Sequence, residues 1–351
     1  MKNVAALSPA LSPDEEVALE REALQREESS ESFIDFAPKF LAIDDPPIEY
    51  IIPELTPRAA LKCSHGDPRT MKSLAALEEA IAASTGTSAF GLERFRPNRK
   101  YSVLYSSQED AAPIVRARAR KMLRGRGIVE FPDTLAFAVH KGINFDTPEW
   151  CERFFTEVTA LGFELVIIDP IRSFTSHADK GPADVMPVAK FFRRLIVQGI
   201  AVHIVHNDTK PPSNGQDMRR RSHRTSGGGW FAVSECPVSF EKIADQKTLV
   251  SPEDYKFSAD PRPFTIGYAE DETGIRLTGE DSTATEAQTL ATDEAIMGYL
   301  ADHPGASGRT ITKAIRKGHA AVTDSLERLF NANKVDCADL GPGKGKRWTG
   351  R

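Results

Sequence analysis

The stretch Gly66-Asp67-Pro68-Arg69-Thr70-Met71-Lys72-Ser73 decides how this chain is read. It satisfies the phosphate-loop pattern G-x-x-x-x-G-K-[ST] at every fixed position except the second glycine, where Met71 stands. Such a loop presents backbone N–H groups, one lysine and one hydroxyl to a nucleoside triphosphate and its Mg²⁺. Upstream, Ala59-Ala60-Leu61-Lys62-Cys63 is short and largely apolar between Pro57 and Gly66, as a strand would be. Downstream, Leu74, Ala75, Leu77, Ala80, Ile81 and Ala82 recur at helical spacing up to Gly86, a natural stop. Lys72 and Ser73 therefore open a helix, whose N-terminal partial charge adds to the cradle. In that role Lys72 reaches the β- and γ-phosphates and Ser73 ligates the metal. The alternative is a chance Lys-Ser pair in a surface turn.

Three further segments weigh on the choice. Tyr101-Ser102-Val103-Leu104-Tyr105-Ser106-Ser107 alternates β-branched, aromatic and polar residues and reads as a strand. Gln108-Glu109-Asp110 follows it, ahead of a helix through Val115, Ala117 and Met122. An acid at the carboxyl end of a strand in an α/β sheet lies where ligands bind, so Glu109 is a candidate base for the attacking water. An acidic helix start would also suit Glu109 and Asp110. Leu165-Val166-Ile167-Ile168-Asp169-Pro170 has the continuous apolar character of a buried parallel strand. Its terminal Asp169 is a candidate Walker B acid for Mg²⁺. A fourth strand, Ile200 to Asn207, follows a helix with Val188, Phe191, Phe192 and Leu195. His206 and Asn207 end it, in position to sense the γ-phosphate.

With these four segments in order, residues 45–245 resemble the RecA-like ATPases of the RepA-type hexameric replicative helicases of plasmids and phages. The resemblance runs from Pro53-Glu54-Leu55 to Gly66. It continues through Lys72-Ser73-Leu74-Ala75-Ala76-Leu77, Leu104 to Asp110, Ile167-Ile168-Asp169-Pro170-Ile171-Arg172 and Val205-His206-Asn207-Asp208-Thr209-Lys210. It implies a loop Gly66, Asp67, Pro68, Arg69, Thr70, Met71, Lys72 and Ser73 around ATP, with Ser73 and Asp169 on Mg²⁺. It also implies Glu109 as base and His206 as sensor. A His pair is frequent at the sensor; here Asn207 holds the second place, so either residue is a candidate. Arg224-Thr225-Ser226-Gly227 stands where the family's trans-acting arginine is found, with Arg221 as competitor. In RecA-like rings the loop after the sensor strand faces a pore and grips single-stranded DNA. Here it runs from Lys210 to His223 and carries Arg219, Arg220 and Arg221, suited to phosphate contacts. A solvated basic loop is the other reading. Thr175 to Gly181 is a candidate companion pore loop.

The ends of the chain differ from this core. Residues 1–50 hold four basic residues against twelve acidic ones, within a whole-chain formal charge of −5. That composition predicts an acidic, disordered tail over residues 1–32, with a weak helical stripe over Asp14 to Glu28. No basic start followed by a long apolar run marks a secretory leader, and no window approaches the ~18 apolar residues of a membrane span. The four cysteines, Cys63, Cys151, Cys236 and Cys337, are far apart, predicting reduced thiols in a cytoplasm and no zinc site. Glu270 to Thr292 reads as the core's last turn and a linker, which places the core at 33–280 and the linker at 281–292. Over 293–351 three short helices are expected. The first spans Asp293 to Asp302, the second starts at an N-cap Ser307, and the third has Val322, Leu326, Leu329 and Phe330 facing inward. A hairpin with a basic tip, Lys344, Lys346 and Arg347, follows. Helices followed by a hairpin look like a winged helix for duplex DNA, or for a protein contact.

The expected fold class is thus α/β: a RecA-like P-loop core with a mostly parallel sheet between helices, plus a small winged-helix domain. The leading functional expectation is an ATP- and Mg²⁺-dependent DNA helicase, homo-oligomeric and hexameric by the resemblance. A DNA-bound regulator or loader that does not unwind is the second, and a nucleotide-binding protein with degenerate catalysis the third.

Overall fold

The computed structural model describes residues 34–44, 47–179, 181–208, 229–257, 260–281, 284–315, 317–339 and 345–350. They divide into two units, Met1–Pro47 and Ile48–Arg351. In the first, a single helical turn, α1 (Ala37–Phe40), leaves Ile34, Phe36, Phe40, Leu41 and Ile43 exposed. The expected acidic tail, including Asp14 to Glu28, lies outside the described residues.

The second unit opens on a small antiparallel pair, β1 (Tyr50–Ile52) and β2 (Thr56–Pro57). Its centre is a nine-stranded sheet in the order β11-β10-β9-β8-β3-β7-β6-β4-β5. The parallel part is β3 (Leu61–Gly66), β4 (Val103–Ser107), β5 (Leu135–Val139), β6 (Leu165–Asp169), β7 (Ala201–Asn207) and β8 (Cys236–Ala244). Buried strands of this kind carry near-continuous apolar runs because both faces are covered; every residue of β3, β4 and β6 is buried.

Alternation along the strands divides the core in two. Val103, Tyr105, Leu165, Ile167 and Val205 face α2 (Lys72–Thr85) and α3 (Ala112–Gly125). Leu104, Val166, Ile168, Val202 and Ile204 face α4 (Pro148–Ala160), α5 (Pro182–Val197) and α6 (Gly229–Val233). The result is a RecA-like, doubly wound core in which β7 lies between the loop strand β3 and the acid strand β6. Ligand-binding crevices in such sheets open at the carboxyl ends of the strands.

The segment read as turn and linker is instead a hairpin and the start of a helix. After β9 (Lys247–Pro252), strands β10 (Phe264–Asp271) and β11 (Gly274–Asp281) pair along their whole length and extend the sheet antiparallel. Ile275 and Leu277 alternate into the core. Gly274 and Gly125 let the hairpin meet α3: a Cβ on Gly125 would lie 2.1 Å from the Ile275 carbonyl oxygen. Polar composition hides this strand, because only its inward residues are apolar.

The next helix, α7, runs Ala284–Asp302, beginning ahead of the expected Asp293. It packs with α8 (Gly308–Ile315), α9 (His319–Asn331) and a sheet β12-β14-β13 (Ala306–Ser307, Lys346–Gly350, Val335–Asp339) around Ile296, Leu300, Ile311, Val322, Leu326, Leu329 and Trp348. Ser307 Oγ accepts from the Thr310 N–H at 3.1 Å and caps α8. Phe330, expected inside, is 45% exposed, its ring edge-on to Trp348.

Candidate active site

Strand β3 delivers its chain to the loop at Gly66, whose φ is +155°. A Cβ there would lie 2.3 Å from the Phe240 carbonyl oxygen, so the close approach of β8 requires glycine. Beyond it Arg69 and Met71 both hold left-handed backbone, φ 66° and 62°. The Met71 carbonyl accepts the first helical bond of α2, from the Ala75 N–H at 2.9 Å. Thr70 Oγ1 closes the loop by donating to the Asp67 carbonyl at 2.8 Å.

Lys72 is buried and folded back on this loop. Its ammonium donates to the carbonyls of Gly66 (3.0 Å) and Asp67 (2.7 Å) and to Thr70 Oγ1 (3.1 Å). Burial lowers its pKa to about 8, against the opposing charges of Asp208, Asp169 and Asp67. The next residue meets the acid of β6: Ser73 Oγ donates to Asp169 Oδ1 at 2.9 Å. The other carboxylate oxygen accepts from the Tyr105 hydroxyl. Burial raises the Asp169 pKa, opposed by the hydrogen bonds from Tyr105 and Ser73. Glu109 is exposed in the turn after β4, and its charge reaches Asp169, adding to the rise.

Two residues around Glu109 are not legible as site residues in the sequence. Gln108 braces the end of β4: its amide donates to the Ile143 carbonyl, and its oxygen accepts from the N–H groups of Gly142 (2.8 Å) and Ile143 (3.2 Å). Asp110 accepts from Arg118 at 2.8 Å. The Gln108 contacts depend on the fold bringing separate segments together, while the Asp110 contact is a local one to the following helix.

A cavity of about 640 Å³ opens at this point. It is lined by the loop from Arg69 to Leu74 with Asn207, by Asp110, Arg118 and Lys121 on the α3 side, and by Tyr268 and Glu270 on β10. Of the two sensor candidates, Asn207 lines the cavity and pairs in register with Gly66. His206 is buried beside β3, opposite His65, with Nδ1 4.0 Å from Asp179 Oδ1. Burial pushes its pKa down to about 4. Next along, the Asp208 N–H donates to the Gly66 carbonyl at 2.9 Å, while its carboxylate sits 3.2 Å from His65 Nδ1.

Lys210, Arg219, Arg220, Arg221, Arg224 and Lys344 lie outside the described residues. Lys346 and Arg347 are exposed on β14. In the candidate companion loop, the Ser176 N–H donates to Asp146 Oδ2 at 2.9 Å, tying this segment to the turn before α4. The four cysteines are free thiols; burial pushes Cys236 up to about 12 and Cys63 higher still. Among the described residues no cluster of three or more His, Cys, Asp or Glu forms a metal centre, and no helix is long and apolar enough to cross a membrane. Ser73 and Asp169 nevertheless offer two hard oxygen donors side by side, the donor set that suits Mg²⁺ beside a phosphate.

Loop, lysine, hydroxyl–acid pair and crevice together define a nucleotide-binding P-loop ATPase. The AAA domain family matches residues 26–212, more than half of the chain, and the chain belongs to that family. Among solved structures, a KaiC-like protein from the hyperthermophilic archaeon Pyrococcus horikoshii OT3 is similar at 12% identity. The match covers 66% of this chain and 99% of that one, with a TM-score of 0.43. A comparison with curated proteins returns no match.

Proposed function

We propose that this ATPase is a ring-forming DNA motor, a replicative helicase of a plasmid, phage or other mobile element. The observation that carries the ATPase part is the 2.9 Å contact of Ser73 with Asp169 beside the folded-back Lys72. Mg²⁺ would be held by this pair and would neutralise charge on the phosphates. Lys72 leaves the loop carbonyls for the β- and γ-phosphates, and the N–H groups of Asp67 and of Arg69 to Ser73 take the remaining oxygens. Glu109, solvent-facing and held at its strand end by Gln108, accepts the proton of the attacking water. Asn207 contacts the γ-phosphate, with His206 supporting the strand behind it. Arg224 or Arg221 completes a neighbour's site in trans, a contribution worth ~10³–10⁵ in rate in related chemistry.

The DNA part is supported by the arginine-rich sequence that follows Asp208 directly, carrying Lys210, Arg219, Arg220 and Arg221. The helices α7, α8 and α9 with their three-stranded sheet have the order of a winged helix, and Lys346 and Arg347 sit exposed on its last strand. We assign this unit to duplex contact. Strand displacement on a forked DNA substrate tests the proposal. Wild type should unwind it with ATP and Mg²⁺, and Lys72→Ala should not. ATP turnover without displacement would favour a regulator or loader.

A further inference from the structure

We propose that Arg118 is a further cation for the triphosphate, supplied in cis from outside the phosphate loop and held on Asp110 until nucleotide enters. The inference rests on the ATPase reading of the cavity. Ile114, Ala117, Arg118 and Lys121 occupy one face of α3 at helical spacing, and all four line the same cavity as Lys72, Ser73 and Asn207. Arg118 therefore shares this cavity with the phosphate loop.

Lys72, Lys121 and Arg118 are each occupied in a different way. Lys72 is folded onto loop carbonyls. Lys121 is bound to Glu270 on β10 at 2.5 Å, which ties α3 to the sheet. Among the described residues Arg118 is bound locally, to Asp110 at 2.8 Å, on the turn that carries Glu109. Its side chain is 26% exposed and that of Asp110 is 38% exposed. Pairs this open are weakly held, because water competes for both partners. Releasing Arg118 thus disturbs no strand or helix.

The position is also central. The Arg118 charge acts on Asp169 and Tyr105 as well as on Tyr268 of β10, so its field reaches both the acid of β6 and the hairpin. A guanidinium presents a planar fork that matches two phosphate oxygens, and phosphate carries more charge than one carboxylate. A triphosphate entering between Lys72 and Arg118 would draw both from their present acceptors. No motif marks this role: Arg118 is one of several arginines on α3, and only the helix's rotation selects it.

Binding of fluorescent ATP and AMP analogues to the full chain, with Mg²⁺, tests the proposal. Arg118→Ala should weaken ATP on the order of tenfold while changing AMP little, since a charged hydrogen-bond partner is lost. Arg118→Lys should recover part of that loss. Asp110→Asn should retain or tighten ATP binding, because the competing carboxylate is gone. Thermal unfolding of each variant separates a fold defect from a site defect. An unchanged ATP-to-AMP ratio in a folded Arg118→Ala overturns the inference, as does weaker ATP binding in Asp110→Asn. Wild type failing to bind ATP would instead overturn the ATPase reading and take this inference with it.

Discussion

Met71 holds φ 62° and ψ 13°, a left-handed conformation that costs a side-chain-bearing residue about 1–2 kcal/mol. The glycine usual at this position would adopt it freely. Met71 recovers part of the cost by packing, half-buried, against the α2 and α3 core. Met71→Gly should therefore shift the melting temperature by no more than a few degrees and leave ATP affinity within about twofold. Gly66 is the opposite case. Gly66→Ala should abolish nucleotide binding and destabilise the fold by a few kcal/mol, because its methyl would meet the Phe240 carbonyl. Lys72 makes a pH prediction. Its pKa is about 8 in the free protein, and phosphates would raise it. Above pH 8 the free site is partly neutral and must take up a proton to bind. ATP affinity should thus fall as pH rises through 8–9, with proton uptake visible by calorimetry in buffers of different ionisation enthalpy.

Helix α2, which opens on the phosphate loop, is fastened to the sheet by a buried ion pair. Lys62 Nζ on β3 lies 2.6 Å from Glu79 Oε2 on α2, with both side chains 2% exposed. Thr56 donates to the same carboxylate at 3.1 Å, and Ser64 pairs with His203 at 2.8 Å nearby. Lys62→Met alone should cost about 3–5 kcal/mol, since it strands a buried carboxylate. The double change Lys62→Met with Glu79→Leu should recover most of it, as read by denaturant unfolding.

Strand β7 adds an acid sensitivity. Burial holds His203 and His206 well below the ordinary 6.5, His206 at about 4. The unfolded chain binds more protons than the folded one between about pH 6.5 and 4, so these residues lower stability as pH falls through that window. His206→Gln should flatten the acid limb of a stability–pH curve.

Among the elements, those buried on both faces are the most legible in the sequence. Leu165 to Asp169 can be read directly, because a continuous apolar run with a terminal acid fits little besides a central strand that ends at a site. The loop and α2 are legible from Gly66, Lys72 and Gly86. Strand β11 is not, because its polar face dominates its composition, and the start of α7 is hidden because the helix lacks an amphipathic stripe. Gln108 owes its place to the turn after β5, and Arg118 meets the phosphate loop only through the cavity, both long-range consequences of the fold; the Asp110–Arg118 pair itself is local.

For the whole molecule, the AAA domain membership and the cavity between loop and hairpin make ATP the substrate that fits, and the proposed motor adds DNA and assembly to that. If an arginine in trans completes the site, specific activity should rise with protein concentration as the oligomer forms, and Arg224→Ala should lower turnover without weakening ATP binding. Sedimentation and turnover measured over the same concentrations check both. The measurement that bears hardest on a DNA-driven ATPase is turnover by the assembled protein with single-stranded DNA, with duplex DNA and without DNA. A translocating motor should be strongly stimulated by single-stranded DNA alone, and Lys72→Ala should lose that stimulation. Turnover indifferent to single-stranded DNA, or stimulated equally by duplex, would contradict it.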